Sequence, residues 1–281
     1  MSSMILFPED VMYEILVRLP AKSIINCRYV CKTWFSLISN PKFAEQHLEH
    51  TIHNRKTQSK FMFMIKEGTK PYYPLVSTVS YDDTLYSSSF EHNGGGVPMD
   101  LPFQDLAHSI QLLGSCNGLI CVMFQTCMVD ELVKVPVIWN PTTREYKILP
   151  NSQTKFTNRS SSIYSFGYDG NNDDYKLLKG EFSRDGSVTL PPTEEEVHVS
   201  EVYSLLSDSW RSIRTNMPYH ILKYIPYDTV SGVVVNGLRH WLAGCRILEK
   251  ELQQESIISF DFSEDKFKQM HLPKAFMKNS T

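Results

Sequence analysis

No run in the 281 residues approaches the roughly twenty apolar side chains that a membrane-spanning helix needs, so none is expected. Basic tracts are missing too. With a net charge of -3 and no interleaving of cations with aromatic residues, the chain gives no reason to expect DNA or RNA as a partner. The opening MSSMILFPED lacks a basic n-region and a full apolar h-region, so no secretory signal is expected. The six cysteines, Cys27, Cys31, Cys116, Cys121, Cys127 and Cys245, form no C-x-x-C pair, which removes the zinc-ribbon and redox-motif readings. Reduced, mostly buried thiols in a cytosolic or nuclear chain are the expectation. Without secretion, the Asn158-Arg159-Ser160 sequon is a chance match.

What is present divides into two textures. In the first fifty residues, Phe7-Pro8-Glu9-Asp10 starts a helix, with Pro8 at its first position and two acids facing the positive end of the dipole. Val11, Ile15 and Leu19 follow at i, i+4 and i+8, flanked by Met12 and Leu16. Pro20 stops this helix. Ile24, Cys27, Cys31, Trp34 and Ile38 then form a second helical stripe, while Ile25, Val30, Phe35 and Leu37 lie off it. Asn40-Pro41 ends that segment, and Phe43, Ala44 and Leu48 suggest one more short helix.

A unit of about 45 residues is near the lower limit for folding alone, because too little of its surface can be hidden internally. Side chains that are apolar on more than one side therefore need a second cover, from the rest of the chain or from another protein. Phe7-Pro8, Ile15-Leu16-x-x-Leu19-Pro20, Lys22-Ser23-Ile24, Val30-Cys31-Lys32-x-Trp34 and Asn40-Pro41-x-Phe43 resemble an F-box in order and spacing. That resemblance implies three short helices docking on a Skp-type adaptor, which links them to a cullin–RING ubiquitin ligase. By position it names Phe7, Pro8, Ile15, Leu16, Leu19, Pro20, Ile24, Val30 and Trp34 as adaptor contacts or supports of contacts.

From about residue 52 no convincing amphipathic helix follows. His53 to Gln58 is polar and basic, and Phe61-Met62-Phe63-Met64-Ile65 reads as a buried strand. Short apolar runs then alternate with turn-forming clusters, the pattern of an all-β domain. VIWNPTTREYKILP (137–150), EVYSLLSDSWRSI (201–213) and IISFDFSEDKFKQMHLP (257–273) align as a repeat. Trp139, Tyr203 and Phe260 lead, with Tyr146, Trp210 and Phe267 seven residues later and Leu149, Ile213 and Met270 ten residues later. Each is read as a hairpin with aromatic residues on both strands. GSCNGLICV (114–122), FGYDGNNDDYKLL (166–178) and VVNGLRHWLAG (234–244) supply a strand pair before each, and four strands per repeat favour a β-propeller.

The same segments resemble the F-box-associated domain of the large plant F-box family, which includes F-box/kelch-like and S-locus F-box proteins. Gly114-Ser115-x-Asn117-Gly118-Leu119, Trp139-Asn140-Pro141-Thr142, Phe166-Gly167-Tyr168-Asp169, Glu201-Val202-Tyr203 and Ser209-Trp210 carry it. A kelch propeller fits less well, since paired glycines before each hairpin are missing. The family pattern continues past the third hairpin, whereas this chain stops at Thr281, so a propeller short at its C-terminus is expected. The expected division is an F-box over 1–50, a linker over 51–60 and an F-box-associated β-domain over 61–281.

Catalytic and metal chemistry find little support. Asp169-Gly170-Asn171-Asn172-Asp173-Asp174 begins like a calcium loop, but Asp174 stands where glycine belongs and Gly180 where the terminal glutamate belongs; a polar turn is the better reading. Glu194 to Glu196 reads as a solvated acidic loop, Asn93-Gly94-Gly95-Gly96 precedes no phosphate-facing helix, and Cys116 and Cys121 have no evident base. No cofactor or metal is expected. The resemblances imply a non-catalytic receptor that holds a protein target for ubiquitination, with segments 66–108, 123–136, 151–162 and 183–198 as target-binding loops. The alternative is a shortened scaffold or competitor that binds the adaptor without recruiting a target.

Overall fold

The computed structural model describes residues 8–53, 60–65, 75–80, 97–99, 101–102, 109–128, 131–152, 160–183, 198–215, 220–221, 233–235, 238–245 and 254–271. The chain divides into two compact units. One comprises Met1–Ile110, Phe124–Lys134 and Trp139–Tyr146; the other comprises Gln111–Met123, Val135–Ile138 and Lys147–Thr281.

Four helices, α1 (Glu9–Leu16), α2 (Ala21–Cys27), α3 (Lys32–Ile38) and α4 (Pro41–His53), open the first unit. Pro8 sits one position earlier than the sequence suggests, and Pro20, read as a helix stop, precedes the start of α2. Each is an extended N-cap, with ψ 144° and 143°, whose carbonyl accepts the first helical bond. The expected single helix over 24–38 is instead two. Tyr29 and Val30 donate to the carbonyls of Asn26 and Cys27 in a tightened turn, and Cys31 is extended before α3 restarts. That break lets Ile24 and Trp34 turn inward together. The last helix is longer than expected: Asn40 Oδ1 caps Lys42 N–H at 3.0 Å, and Pro41 occupies the first turn, where its missing N–H costs nothing. Helix α4 also carries the chain through His53, into the stretch read as linker.

Strands make up most of the remaining described residues. Strands β1 (Lys60–Ile65), β2 (Leu75–Ser80) and β3 (Val97–Met99) pair in order, confirming the strand read at Phe61–Ile65. Strands β4 (Ser109–Cys116), β5 (Leu119–Met128), β6 (Glu131–Trp139) and β7 (Tyr146–Ile148) form a four-stranded sheet. So do β8 (Ser160–Asp169), β9 (Asp174–Ser183), β10 (His198–Ser204) and β11 (Ser209–Thr215). The last sheet orders β12 (His220–Ile221), β14 (Leu238–Cys245), β15 (Gln254–Asp261) and β16 (Lys266–His271), with β13 (Val233–Val235) also paired to β14. The turn from β4 to β5 places Asn117 at φ 50° and Gly118 at φ 82°, the left-handed pair that a two-residue hairpin requires.

One hairpin design accounts for the aromatic repeat. The first strand ends on a residue whose side chain accepts backbone N–H groups of the turn: Asn140, Asp169, Ser204 or Asp261. A four-residue loop follows, closed by Arg144, Asp173, Asp208 or Asp265 with φ between 51° and 61°. An aromatic residue just before such a loop therefore meets the residue seven positions later across the ladder. Tyr203 pairs with Trp210, Phe260 with Phe267 and Tyr168 with Tyr175, with ring centroids 5.5, 4.9 and 5.1 Å apart. The Tyr168–Tyr175 hairpin, a fourth instance, was not recognised as part of the repeat. Position ten holds for Leu149 and Ile213, which are buried, but Met270 is 54% exposed.

Alternate faces of β8–β11 feed two cores in the second unit. Phe166, Leu177 and Tyr203 pack with Leu113, Cys121, Met123, Ile138 and Leu149. On the other face, Ile163, Leu178, Val202 and Ile213 pack with Trp241, Ile258, Phe260 and Phe262. Beside this second core lies a buried ammonium. Lys176 Nζ contacts Asp169 Oδ2 at 2.7 Å, the Phe262 carbonyl at 2.8 Å and Asp265 at 3.2 Å. Arg211 adds an ion pair to Asp265. Gly167 makes room for this packing: a Cβ there would stand 2.2 Å from the Phe262 ring.

Burial alone pushes the Asp169 carboxyl up. Hydrogen bonds from Asn172, Lys176 and the Asn171 N–H, with the Lys176 charge, outweigh it and hold the group well below the usual carboxylate range. Its contribution is therefore present above the unfolded pKa of about 3.9 and lost as pH falls below it. Replacing Lys176 by Met strands a buried carboxylate and should cost about 3–5 kcal/mol near neutral pH. In thermal melts the variant should also lose less stability than the wild type as pH drops below about 4. Gly167→Ala should cost about 1–3 kcal/mol in urea titration, with partial recovery in the Gly167→Ala/Phe262→Leu double variant.

Candidate functional site

The helical unit closes a core of its own. Leu16, Val17, Ile24 and Phe43 are buried, with Tyr13, Leu19, Cys27, Trp34, Leu37 and Ile38 packed against them. Tyr13 meets the Phe43 ring edge-on at 5.4 Å, and His47 stacks on Phe43 while its Nε2 contacts the Leu19 carbonyl at 2.9 Å. Trp34 donates its indole N–H to Met12 Sδ at 3.2 Å. Burial, then the charge of Glu14, pushes the Tyr13 phenol up, so it stays protonated and donates to Gln46 Oε1.

This core does not consume the apolar side chains. Ile15 is 49% exposed, Val30 63% and Tyr29 86%, and Val11 and Phe35 are exposed as well. The stripe that sequence periodicity marks on α1 thus points outward at Val11 and Ile15, while Leu16 supplies the inward face. Across the break between α2 and α3, Arg28, Tyr29, Cys31, Lys32 and Phe35 line an open groove, and the Arg28 guanidinium lies 5.3 Å above the Phe35 ring. From residue 15 to residue 44 the chain carries Arg18, Lys22, Arg28, Lys32 and Lys42 and no acid. Arg18 is paired with Glu14 at 2.6 Å.

Of the nine residues named from sequence, the structure separates eight into two groups; Phe7 lies outside the described residues. Pro8, Ile15, Pro20 and Val30 are exposed. Leu16 and Ile24 are buried, and Leu19 and Trp34 are half-buried in the same core. Exposed Tyr29 and Phe35 were not named as contacts; the signal for them was their place off the second stripe.

The β-domain holds no comparable chemistry among the described residues. No group of three or more His, Cys, Asp or Glu side chains there can hold a metal. Burial pushes the Cys116 thiol up to about 11 and the Cys121 thiol further still, so both remain protonated and poorly nucleophilic. Asp169 to Asp174 is a hairpin turn, with the Asp169 carboxylate taken by Asn171, Asn172 and Lys176. His240 is a half-buried strand residue whose Nδ1 contacts the Leu238 carbonyl at 3.0 Å.

The proposed target loops need one correction. Residues 123–136 are mostly strand, since β5 runs to Met128 and β6 starts at Glu131. Strands β2 and β3 lie within 66–108, and β8 begins inside 151–162. Residues 184–197, with Glu194–Glu196, and Asn93–Gly96 lie outside the described residues. No helix among those described is long and apolar enough to cross a membrane.

The division of the helical face is directly testable. Leu16→Ala should destabilise the helical unit by about 2–5 kcal/mol, read as lost helical circular dichroism on urea titration. Ile15→Asp and Val30→Asp should each stay within about 0.5 kcal/mol of the wild type.

Comparison with known proteins identifies both parts of the chain. Residues 4–46 match the F-box domain. An Arabidopsis thaliana F-box/kelch-repeat protein is 29% identical over 95% of this chain and 65% of its own length. A putative F-box protein of that plant is 26% identical over 97% of this chain and 66% of its own. F-box protein CPR1, also from Arabidopsis thaliana, is 26% identical over 95% and 60%. The chain thus spans less than two thirds of the length of these curated relatives. Residues 78–281 match the F-box associated beta propeller domain, and the chain belongs to that family of plant-type F-box proteins.

Proposed function

We propose that this chain is a substrate-recognition subunit of a Skp–cullin–F-box ubiquitin ligase. Its helical unit binds a Skp-type adaptor, and its β-domain holds a protein target. The chain makes no bond itself; tethering raises the concentration of target lysines near the ubiquitin-charged enzyme.

The observation that carries this reading is the outward apolar face of a helical unit whose own core is already closed. Ile15, Val30, Tyr29 and Phe35 stay exposed around Leu16, Ile24 and Phe43. Clustered exposed apolar side chains mark an interaction site. Pro8, Ile15, Pro20 and Val30 are the direct contacts, with Phe7 beside them by position; Leu16, Leu19, Ile24 and Trp34 hold the helices that present them. The run of cations without an acid from residue 15 to 44 calls for an acidic partner surface, which favours fast encounter and makes association salt-sensitive. A reduced compartment, cytoplasm or nucleus, goes with this role.

Co-expression with a Skp-type adaptor, followed by size-exclusion chromatography with light scattering, tests the proposal. The wild type should elute as a one-to-one complex. Val30→Asp and Ile15→Asp should weaken it by about 30-fold or more while remaining folded, and added salt should weaken the wild-type complex. A soluble wild-type chain that stays monomeric with adaptor present would sink the reading.

A further inference from the structure

The seam between β8 and β14 holds polar groups that neither the helical face nor the hairpins use. The two strands are in contact. Ser165 shares a face of β8 with Ile163 and lies opposite Leu178 in the ladder, and both of those side chains pack against Trp241. Ser165 is therefore aimed toward β14. It is 0% exposed, and its hydroxyl has no hydrogen-bond partner among the described residues. Trp241 is 1% exposed, and its indole N–H has none either. Arg239 stands two residues before Trp241 on β14 and so on the same face; its buried Nε–H is likewise unpartnered among the described residues.

Arg239 as a whole is half-buried, but its Nε–H is buried, and a buried donor without an acceptor is costly. Neither Cys121 nor Glu201 supplies an acceptor. Cys121 lies within electrostatic reach of Arg239, but burial keeps its thiol protonated despite that cation. Glu201 sits on the opposite face of its sheet, 3.7 Å from Lys179. Three groups able to donate, a hydroxyl, an indole N–H and a guanidinium Nε–H, thus lie on these two strands without a hydrogen-bond partner among the described residues.

We propose that Arg239, Trp241 and Ser165 form a binding site for a small oxyanion, a carboxylate or a phosphate, held in the seam between β8 and β14. The burial of Ser165 and Trp241 restricts the site to a compact ion, and the guanidinium sets its charge. Bound there, the anion joins two adjacent sheets of the β-domain and stabilises their packing. This assignment does not rest on the ligase role.

Thermal denaturation of the full chain in chloride, inorganic phosphate or acetate at equal ionic strength tests it. The wild type should melt about 2–4 °C higher in phosphate or acetate than in chloride. A rise in phosphate alone assigns a phosphate, and one in acetate assigns a carboxylate. Arg239→Met should show no anion-specific rise and, in chloride, should melt no lower than the wild type, because it removes a buried, unpartnered donor. Ser165→Ala, which keeps the charge and nearly the volume, should fold and show a reduced rise, and it decides the matter if Arg239→Met fails to fold. The site is refuted if the wild type melts alike in all three salts, or if the variants show its full rise.

Discussion

A helical unit of some 45 residues cannot hide all of its apolar side chains, and the arrangement of the four helices follows from that limit. Four short helices bury one shared core around Leu16, Ile24 and Phe43. What remains, Ile15, Val30, Tyr29 and Phe35, stays exposed. The break at Arg28–Cys31 is central to that exposure. A continuous helix would keep Val30 and Trp34, four residues apart, on one face; the turn sends Trp34 into the core and leaves Val30 outside. Stability of the unit and its capacity to dock are thus set by different residues on the same short helices.

The β-domain solves a different problem, because each sheet must cover its neighbour on both faces. Strict alternation along β8–β11 sends Phe166, Leu177 and Tyr203 one way and Ile163, Leu178 and Val202 the other. Where a cation enters that interior it is fully engaged. Lys176 meets two carboxylates and a carbonyl, and Lys179 meets Glu201 and Ser152. Arg239 is the contrast: its buried Nε–H has no hydrogen-bond partner among the described residues. That asymmetry distinguishes a group serving the fold from one suited to an external ion.

Much of the fold was legible because local chemistry dictates it. The seven-residue aromatic spacing reflects a side-chain-capped, four-residue loop closed by a left-handed residue, so register follows from the turn. The same logic failed for 123–136, where an apolar-polar mix was read as an inserted loop and proved to be the paired strands β5 and β6. Strand pairing across β5 and β6 is decided by partners elsewhere in the sheet, which no local pattern records. Met270 failed for a related reason: Leu149 and Ile213, also at the ends of their sheets, pack into cores, whereas no described core covers position ten on β16.

By itself the sequence determined the helical and β segments, the hairpin repeats and the set of residues on the helical face, because turn chemistry and periodicity act over a few residues. Which members of that set form the core and which face a partner was decided by the tertiary structure. Leu16 and Ile15 are neighbours of nearly equal hydrophobicity, one buried and the other 49% exposed. The difference comes from where α2, α3 and α4 cross α1, a matter of packing in space. The oxyanion seam belongs to that category too: Ser165 and Trp241 are 76 residues apart in the chain and share a seam only because β8 contacts β14.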